Sequence, residues 1–369
     1  MKLQQVELRE VALPLVSPFR TSLGTQVHRN SLLVKVTTVD GVVGWGECVT
    51  DDDPTYSAEY LAGARDVLRW FLLPRLFPIP ELTAALVPEL LRPIRGNPMA
   101  KAAVEMAVLD AELQTAGISL AQYFGATRSE LAVGVSVGIM DTVDELLGAV
   151  DGYLSAGYAR VKLKIEPGWD VEPLRAVRET FGPEIPLQVD ANTAYSPGDL
   201  PHLRQFDDYG LTLIEQPFAP DDLLSHTRLA ARMDTPICLD ESITSARDAA
   251  TAIRQEACSI VNIKPGRVGG YLEARRIHDL CLANGVPVWC GGMLETGLGR
   301  AANLALAALP GFTMPGDISA TARYYTRDIT APFVLRDGHL TLPTGPGIGI
   351  VPDPEALQAA TTSTELLSA

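Results

Sequence analysis

Between residues 161 and 290 the chain carries five short β-rich runs in which polar side chains interrupt apolar ones. They are Val161-Lys162-Leu163-Lys164-Ile165, Leu187-Gln188-Val189-Asp190-Ala191-Asn192, Leu213-Ile214-Glu215-Gln216, Ile237-Cys238-Leu239-Asp240-Glu241-Ser242 and Val261-Asn262-Ile263-Lys264-Pro265. The polar positions Lys164, Asp190, Glu215, Asp240 and Lys264 follow one another at intervals of 26, 25, 25 and 24 residues. That length holds one strand, one helix and two short loops, so the repeat is a βα unit. Each polar position then falls at the C-terminal end of a successive parallel strand. (β/α) barrels assemble their active sites at that end.

Extended along the chain, the pattern predicts eight strands, at 131–139, 159–165, 186–192, 212–217, 236–242, 259–265, 287–292 and 312–317. Helical stretches separate them, among them 143–155, 222–232, 246–255 and 271–284, and no eighth helix follows residue 317. The expected fold class is α/β, a modified (β/α)7β TIM-like barrel over residues 126–325. Residues 1–125 do not share the period. Strands are expected there at 6–15, 31–39 and 42–47, the last two flanking the hairpin signal Asp40-Gly41. Residues 18–25 and 50–56 read as loops, and 57–73 and 98–116 as helices. A three-stranded meander followed by helices makes a separate α+β domain. In residues 326–369 a strand-and-turn stretch at 332–342 precedes the Gly/Pro-rich run 343–349. This C-terminal segment is expected to leave the barrel and return to the N-terminal domain, with residues beyond about 361 frayed.

Composition narrows the partners. The chain has 369 residues, 47% of them hydrophobic, and a net charge of −15 without a Lys/Arg-rich run. Neither nucleic acid nor an anionic membrane suits that balance. The five cysteines (Cys48, Cys238, Cys258, Cys281 and Cys290) lack C-x-x-C spacing, which disfavours a disulfide framework or zinc site and points to a reducing compartment. No apolar signal core opens the chain and no 18-residue apolar run occurs, so a soluble, cytoplasmic protein is expected.

The chemistry lies in three acids flanked by lysines. Strand side chains alternate faces, so Lys162 points with Lys164, Asp190 with Asn192, and Asn262 with Lys264. An ionised group in a buried strand is costly unless paired or metal-bound. One strand-end carboxylate is most simply a salt bridge or helix cap; three at one register point to a site. Asp190, Glu215 and Asp240 supply hard oxygen ligands without His or Cys, which suits Mg²⁺, with Mn²⁺ or Co²⁺ as substitutes. Lys164 and Lys264 stand four βα steps apart, on opposite sides of an eight-stranded barrel. A lysine works as a base when its pKa is lowered, and Lys162 supplies a neighbouring cation for Lys164. Each lysine alone also admits a plainer reading as an ion pair to the carboxylates. Asn192 and Asn262 hydrogen-bond either a ligand or a loop, and Ser136 and Gly138 face the same mouth. Cys290-Gly291-Gly292-Met293 permits close backbone approach, and Glu295 is either a first-turn helix acid or a site residue.

These residues resemble a known family. Lys-x-Lys, Asp-x-Asn, Glu, Asp and Lys on successive strands are similar to the muconate-lactonising branch of the enolase superfamily. That superfamily in general pairs a lysine or histidine base with Mg²⁺, which is its known property and not something read from this chain. More narrowly, Gly134-Val135-Ser136-Val137-Gly138-Ile139, Cys238-Leu239-Asp240-Glu241-Ser242 and Asn262-Ile263-Lys264-Pro265-Gly266-Arg267-Val268-Gly269-Gly270 resemble o-succinylbenzoate synthases. The likeness is greatest to the actinobacterial type that also acts as N-acylamino acid racemase. It spans essentially the whole chain, including Pro18-Phe19-Arg20-Thr21 and Gly44-Trp45-Gly46-Glu47-Cys48.

The resemblance implies an N-terminal capping domain whose loops, near 19–24 and 50–56, shape the substrate pocket. It implies metal ligands Asp190, Glu215 and Asp240, and racemisation of N-acylamino acids by Lys164 and Lys264 through a metal-stabilised enediolate. Lys162 would assist at the substrate carboxylate, and Phe19, Ser136, Asn192, Asn262, Gly292 and Met293 would bind substrate. In a synthase acting on a cyclohexadiene carboxylate, Lys164 would be the base and Lys264 a cation beside the intermediate. Arg267 beside Lys264 is a feature of the racemase-capable subset. Dipeptide epimerases carry Asp-x-Asp after the last barrel strand, whereas this chain reads Asp317-Ile318-Ser319, which favours an acylated nitrogen over a free ammonium. The resemblance also implies a homo-oligomer, a dimer or octamer. A dedicated o-succinylbenzoate synthase is the nearest alternative. A Schiff-base aldolase and a barrel kept only for binding are the more distant ones.

Overall fold

The computed structural model describes residues 1–368. Strands β1 (Leu3–Thr21), β2 (Gly24–Thr38) and β3 (Val43–Cys48) form an antiparallel meander, with β2 and β3 joined at Asp40-Gly41 as expected. The first hairpin is longer than its alternation suggests. Pairing lapses between Pro14 and Phe19 and resumes as Phe19↔Gln26 and Thr21↔Gly24, so most of the expected loop at 18–25 is strand. Pro14 and Pro18 have no amide to donate, which interrupts the ladder without ending it. The hairpin tip reaches the barrel, where Ser22 Oγ donates to Ala191 O at 3.1 Å.

The helix Pro98–Ala116 lies across β3. Gly44 and Gly46 make this possible: a Cβ on either would sit 2.1 Å from Ala107 O or 1.9 Å from Ala103 O. The other expected helix starts later, at Leu61, and runs through a π-helical turn at Leu68–Leu72 to Leu76. Residues just before it turn back, so that the Glu59 carboxylate accepts from Met99 N and Ala100 N at the start of the long helix.

Helix Pro98–Ala116 also docks the domain onto the barrel. Glu105 Oε1 accepts from Leu272 N at 3.0 Å, at the start of the barrel helix Tyr271–Ala283. Burial pushes the Glu105 carboxyl up to about 7, against the pull of the Leu272 and Tyr271 amides. A carboxyl whose folded pKa lies above its unfolded value contributes stability fully below the unfolded value. That contribution is lost as pH rises through the folded one, here from 4.5 to about 7. Glu105→Gln should therefore match the wild type near pH 4.5 and exceed it at pH 8 by on the order of 1–3 kcal/mol. Thermal midpoints of both proteins across that range check this, and a constant difference would refute it.

Seven parallel strands follow the short β4 (Glu130–Ala132). They are β5 (Gly134–Val137), β6 (Arg160–Lys164), β7 (Leu187–Asp190), β8 (Ile214–Glu215), β9 (Ile237–Leu239), β10 (Ile260–Ile263) and β11 (Val288–Cys290), adjacent in that order. Both faces of each are buried, one by the helices and one by the barrel interior. The expected eighth strand at 312–317 forms only the isolated bridges Val288↔Phe312 and Val133↔Gly316. It still closes the ring, since Asp317 N donates to Cys290 O and Gly134 N to Gly316 O. Pro315 has no amide to extend a ladder. Helices Val143–Ser155, Leu223–Ala230, Ala246–Arg254 and Tyr271–Ala283 occupy the expected places. Among the described residues no helix is long and apolar enough to cross a membrane.

The C-terminal segment returns as expected. Strand β12 (His339–Thr341) pairs with β4, and Ile348 N donates to Asp110 of the capping domain. The expectation of a frayed end is overturned. After the helix Pro354–Ala360, β13 (Thr361–Ser368) pairs antiparallel with β1, making the sheet four-stranded. The outer edge of β1 would otherwise leave a row of amides and carbonyls bare, and a Thr-rich segment suits that place. Glu365 fastens the strand through Arg69 Nε at 3.0 Å.

Candidate active site

Strand register brings the chemical groups together. Lys164 is paired with Asp190, Asp190 with Glu215, and Ser136 with Lys162 across neighbouring strands. Beneath the barrel mouth, Lys162 Nζ touches Asp317 Oδ2 at 2.5 Å, Glu215 Oε2 at 2.9 Å and Asp190 Oδ2 at 3.1 Å. It also lies 4.8 Å from the centre of the Trp289 ring. Lys164 Nζ donates to Asp190 Oδ2 at 2.6 Å and Asn192 Oδ1 at 2.5 Å. Lys264 Nζ donates to Asp240 Oδ2 at 2.7 Å and Tyr56 Oη at 3.2 Å. Arg267 places Nη1 against Asp240 Oδ1 and donates to the carbonyls of Ile243 and Asn262. It binds Asp240 and backbone, not a phosphate.

A cavity of about 470 Å³ opens between the capping domain and the barrel. Lys164, Lys264, Phe19, Asn192, Gly292 and Met293 line it, and Tyr56 joins them from the 50–56 loop. Lys162, Asp190, Glu215 and Asp240 are buried below it. Two expected substrate contacts are not on its wall. Asn262 turns its amide to Glu215 Oε1 at 2.6 Å, so it serves a carboxylate from inside the barrel. Ser136 is buried, and its hydroxyl has no hydrogen-bond partner among the described residues.

The two cavity lysines differ electrostatically. Burial, helped by Lys162, lowers Lys164 against the pull of Asp190. In Lys264 the balance falls the other way. Burial pulls it down too, but Tyr56, Glu241, Glu215 and Asp190 together outweigh that and raise it. Lys162 is raised in the same way, burial being outweighed by Asp317, Glu215 and Asp190.

Three neighbours make contacts that the sequence did not foretell. Asp317 accepts Arg160 on Oδ1 at 2.8 Å and Lys162 on Oδ2. Arg160 is two residues before Lys162 and so on the same face, a signal that was available. Glu241 accepts from Asn192 Nδ2 at 3.0 Å, although its neighbour Asp240 faces Lys264. Tyr56 lies outside the βα repeat, and no periodicity marks it.

Asp190, Glu215 and Asp240 fit a hard divalent cation in kind, being three oxygen donors on consecutive strands. In this structure their charge is met by lysine and arginine. Among the described residues no three His, Cys, Asp or Glu side chains converge closely enough to hold an ion.

Comparison with known proteins extends this picture. Residues 4–125 match the mandelate racemase/muconate lactonizing enzyme N-terminal domain, and residues 145–356 the enolase C-terminal domain-like family. The chain is 61% identical over 363 residues to an N-succinylamino acid racemase of an Amycolatopsis species, covering 98% of each. It is 49% identical to an o-succinylbenzoate synthase of Geobacillus kaustophilus, covering 95% of this chain and 93% of that one. A solved enolase superfamily member from Listeria innocua superposes with a TM-score of 0.95 at 41% identity, covering 100% of this chain and 99% of that one.

Proposed function

The chain belongs to the mandelate racemase/muconate lactonizing enzyme family of the enolase superfamily, and from that membership we propose that it racemises N-acylamino acids. The observation that carries this reading is the placement of Lys164 and Lys264 on one cavity with four βα steps between them. In the reading, one lysine takes the α-proton as the C–H bond breaks and the electron pair moves into the substrate carboxylate. The other delivers a proton to the opposite face of the flattened carbon, and the roles exchange for the other enantiomer. Asp190, Glu215 and Asp240 would hold Mg²⁺, which supplies positive charge to the substrate carboxylate as the α-carbon loses its proton. Lys162 holds the acids in place from below, paired with Asp190, Glu215 and Asp317.

Asp317 supports an acylated nitrogen. Both its oxygens are engaged, by Arg160 and Lys162, and it does not line the cavity, so it is not placed to meet a free α-ammonium. The similarity to an o-succinylbenzoate synthase supports a second activity of the same groups. There Lys164 would take a proton from a cyclohexadiene carboxylate and, as the C–O bond breaks, return it to the departing hydroxyl, which leaves as water. Five free, buried cysteines fit a reducing, cytoplasmic setting, and a homo-oligomer, dimer or octamer, completes the proposal.

The test is α-proton exchange in D₂O, followed by NMR, with each enantiomer of N-acetyl- or N-succinyl-methionine. Both should exchange and interconvert in the presence of Mg²⁺. Chelation should abolish this, and Mg²⁺ added back should restore it and raise the thermal midpoint. Rapid turnover of the cyclohexadiene carboxylate without exchange of either amino acid would make the synthase the sole activity.

A further inference from the structure

An ammonium nitrogen has three N–H directions, and two fixed partners decide where the third points. Lys164 takes both partners from the barrel, Asp190 Oδ2 and Asn192 Oδ1, on β7 and the loop after it. Lys264 takes only Asp240 there; its second partner is the Tyr56 hydroxyl, from the capping domain. The Tyr56 ring also lies 4.8 Å from the same nitrogen. From this asymmetry we infer that Tyr56 is the positioning residue of Lys264. The Lys264 nitrogen is therefore aimed by the capping loop together with the barrel, while the Lys164 nitrogen takes both its partners from the barrel. The inference rests on the two-base reading above.

The stem of the loop that carries Tyr56 is anchored on both sides. From β2, Arg29 donates to Val49 O at 2.5 Å and pairs with Asp51, while Gln26 donates to Asp51 at 3.0 Å and Asn30 to Asp52 at 2.8 Å. Val49 packs over Gly266, where a Cβ would meet Val49 Cγ2 at 2.4 Å. One loop thus meets the barrel at Lys264 and again two residues later. On the opposite wall Ser22 Oγ of the capping domain meets the backbone carbonyls of Ala191 and Asn192, at 3.1 and 3.4 Å, and does not reach the Lys164 nitrogen. A phenol oxygen accepting one N–H of the free amine leaves the lone pair to meet the substrate α-proton.

Solvent exchange separates the faces. The variants Lys164→Ala and Lys264→Ala, each run with both enantiomers of N-acetylmethionine in D₂O, assign one enantiomer to each lysine. Tyr56→Phe keeps the ring and loses the hydroxyl. It should slow exchange of the Lys264 enantiomer by about tenfold or more, leave exchange of the other at the wild-type rate, and slow racemisation in both directions equally. Tyr56→Leu, which loses the ring as well, should deepen the loss on the same face. An equal loss on both faces, or a raised KM with exchange rates intact, would overturn the inference and leave Tyr56 a pocket wall. A wild type that exchanges neither enantiomer would overturn the two-base reading itself, and this inference with it.

Discussion

Lys164→Ala and Lys264→Ala should each abolish racemisation while leaving exchange of one enantiomer intact. A positioned acid–base group contributes about 10²- to 10⁴-fold, and each turnover uses both lysines, so either loss stops inversion in both directions equally. In water the two enantiomers are equally stable, so one direction cannot slow without the other. Exchange is different, because a proton lost to one lysine can return from it with solvent deuterium and retained configuration. Lys164→Ala should therefore still exchange the enantiomer served by Lys264, and the converse should hold. Neither change strips a buried acid of its last cation, since Asp190 keeps Lys162 and Asp240 keeps Arg267. Both proteins should fold, and near-wild-type thermal midpoints would show that the lost activity is chemical. A variant that still inverts its substrate would end the two-base reading.

The largest expected effect on stability lies far from the lysines, at Gly46. An added Cβ would stand 1.9 Å from Ala103 O and 2.9 Å from Ala103 C, in the middle of helix Pro98–Ala116. These are backbone atoms, so relief requires strand and helix to separate along a packed interface. Gly46→Ala should cost about 3 kcal/mol or more and lower the thermal midpoint by roughly 4 °C or more. The damage should reach the barrel, because neighbouring Glu47 accepts from Thr296 N and Gly299 N at the start of helix Gly297–Ala307. Gly148→Ala is the control. It lies in helix Val143–Ser155 with nothing within 4 Å of its added Cβ, and should gain about 0.5–1 kcal/mol. A Gly46→Ala protein that melts with the wild type would show that β3 and the helix are less closely packed than described.

Much of the barrel was legible because its information is local. A strand that must bury both faces and end in a charged group leaves the same pattern every βα unit, so Lys164, Asp190, Glu215, Asp240 and Lys264 could be ordered without a contact in view. The hairpin at Asp40-Gly41 and the helices Val143–Ser155 and Pro98–Ala116 were legible for the same reason. Proline misled at the first hairpin, where the interruption at 14–18 looked like an ending. It also left the eighth barrel segment with two bridges instead of a ladder.

By itself the sequence determined the repeat, the order of the chemical groups around the barrel, and the faces on which they lie. Periodicity within a few residues carries all of that. Only the tertiary structure decided which partner each group meets. The amide of Asn262 goes to Glu215 instead of the cavity, Asp317 is consumed by Arg160 and Lys162, and β13 completes a sheet begun more than 350 residues earlier. The same is true of Lys264, whose nitrogen is shared with Tyr56 of the capping domain. Such choices depend on which distant surfaces close on one another and on the field that their charges make together. Neither leaves a period in the chain.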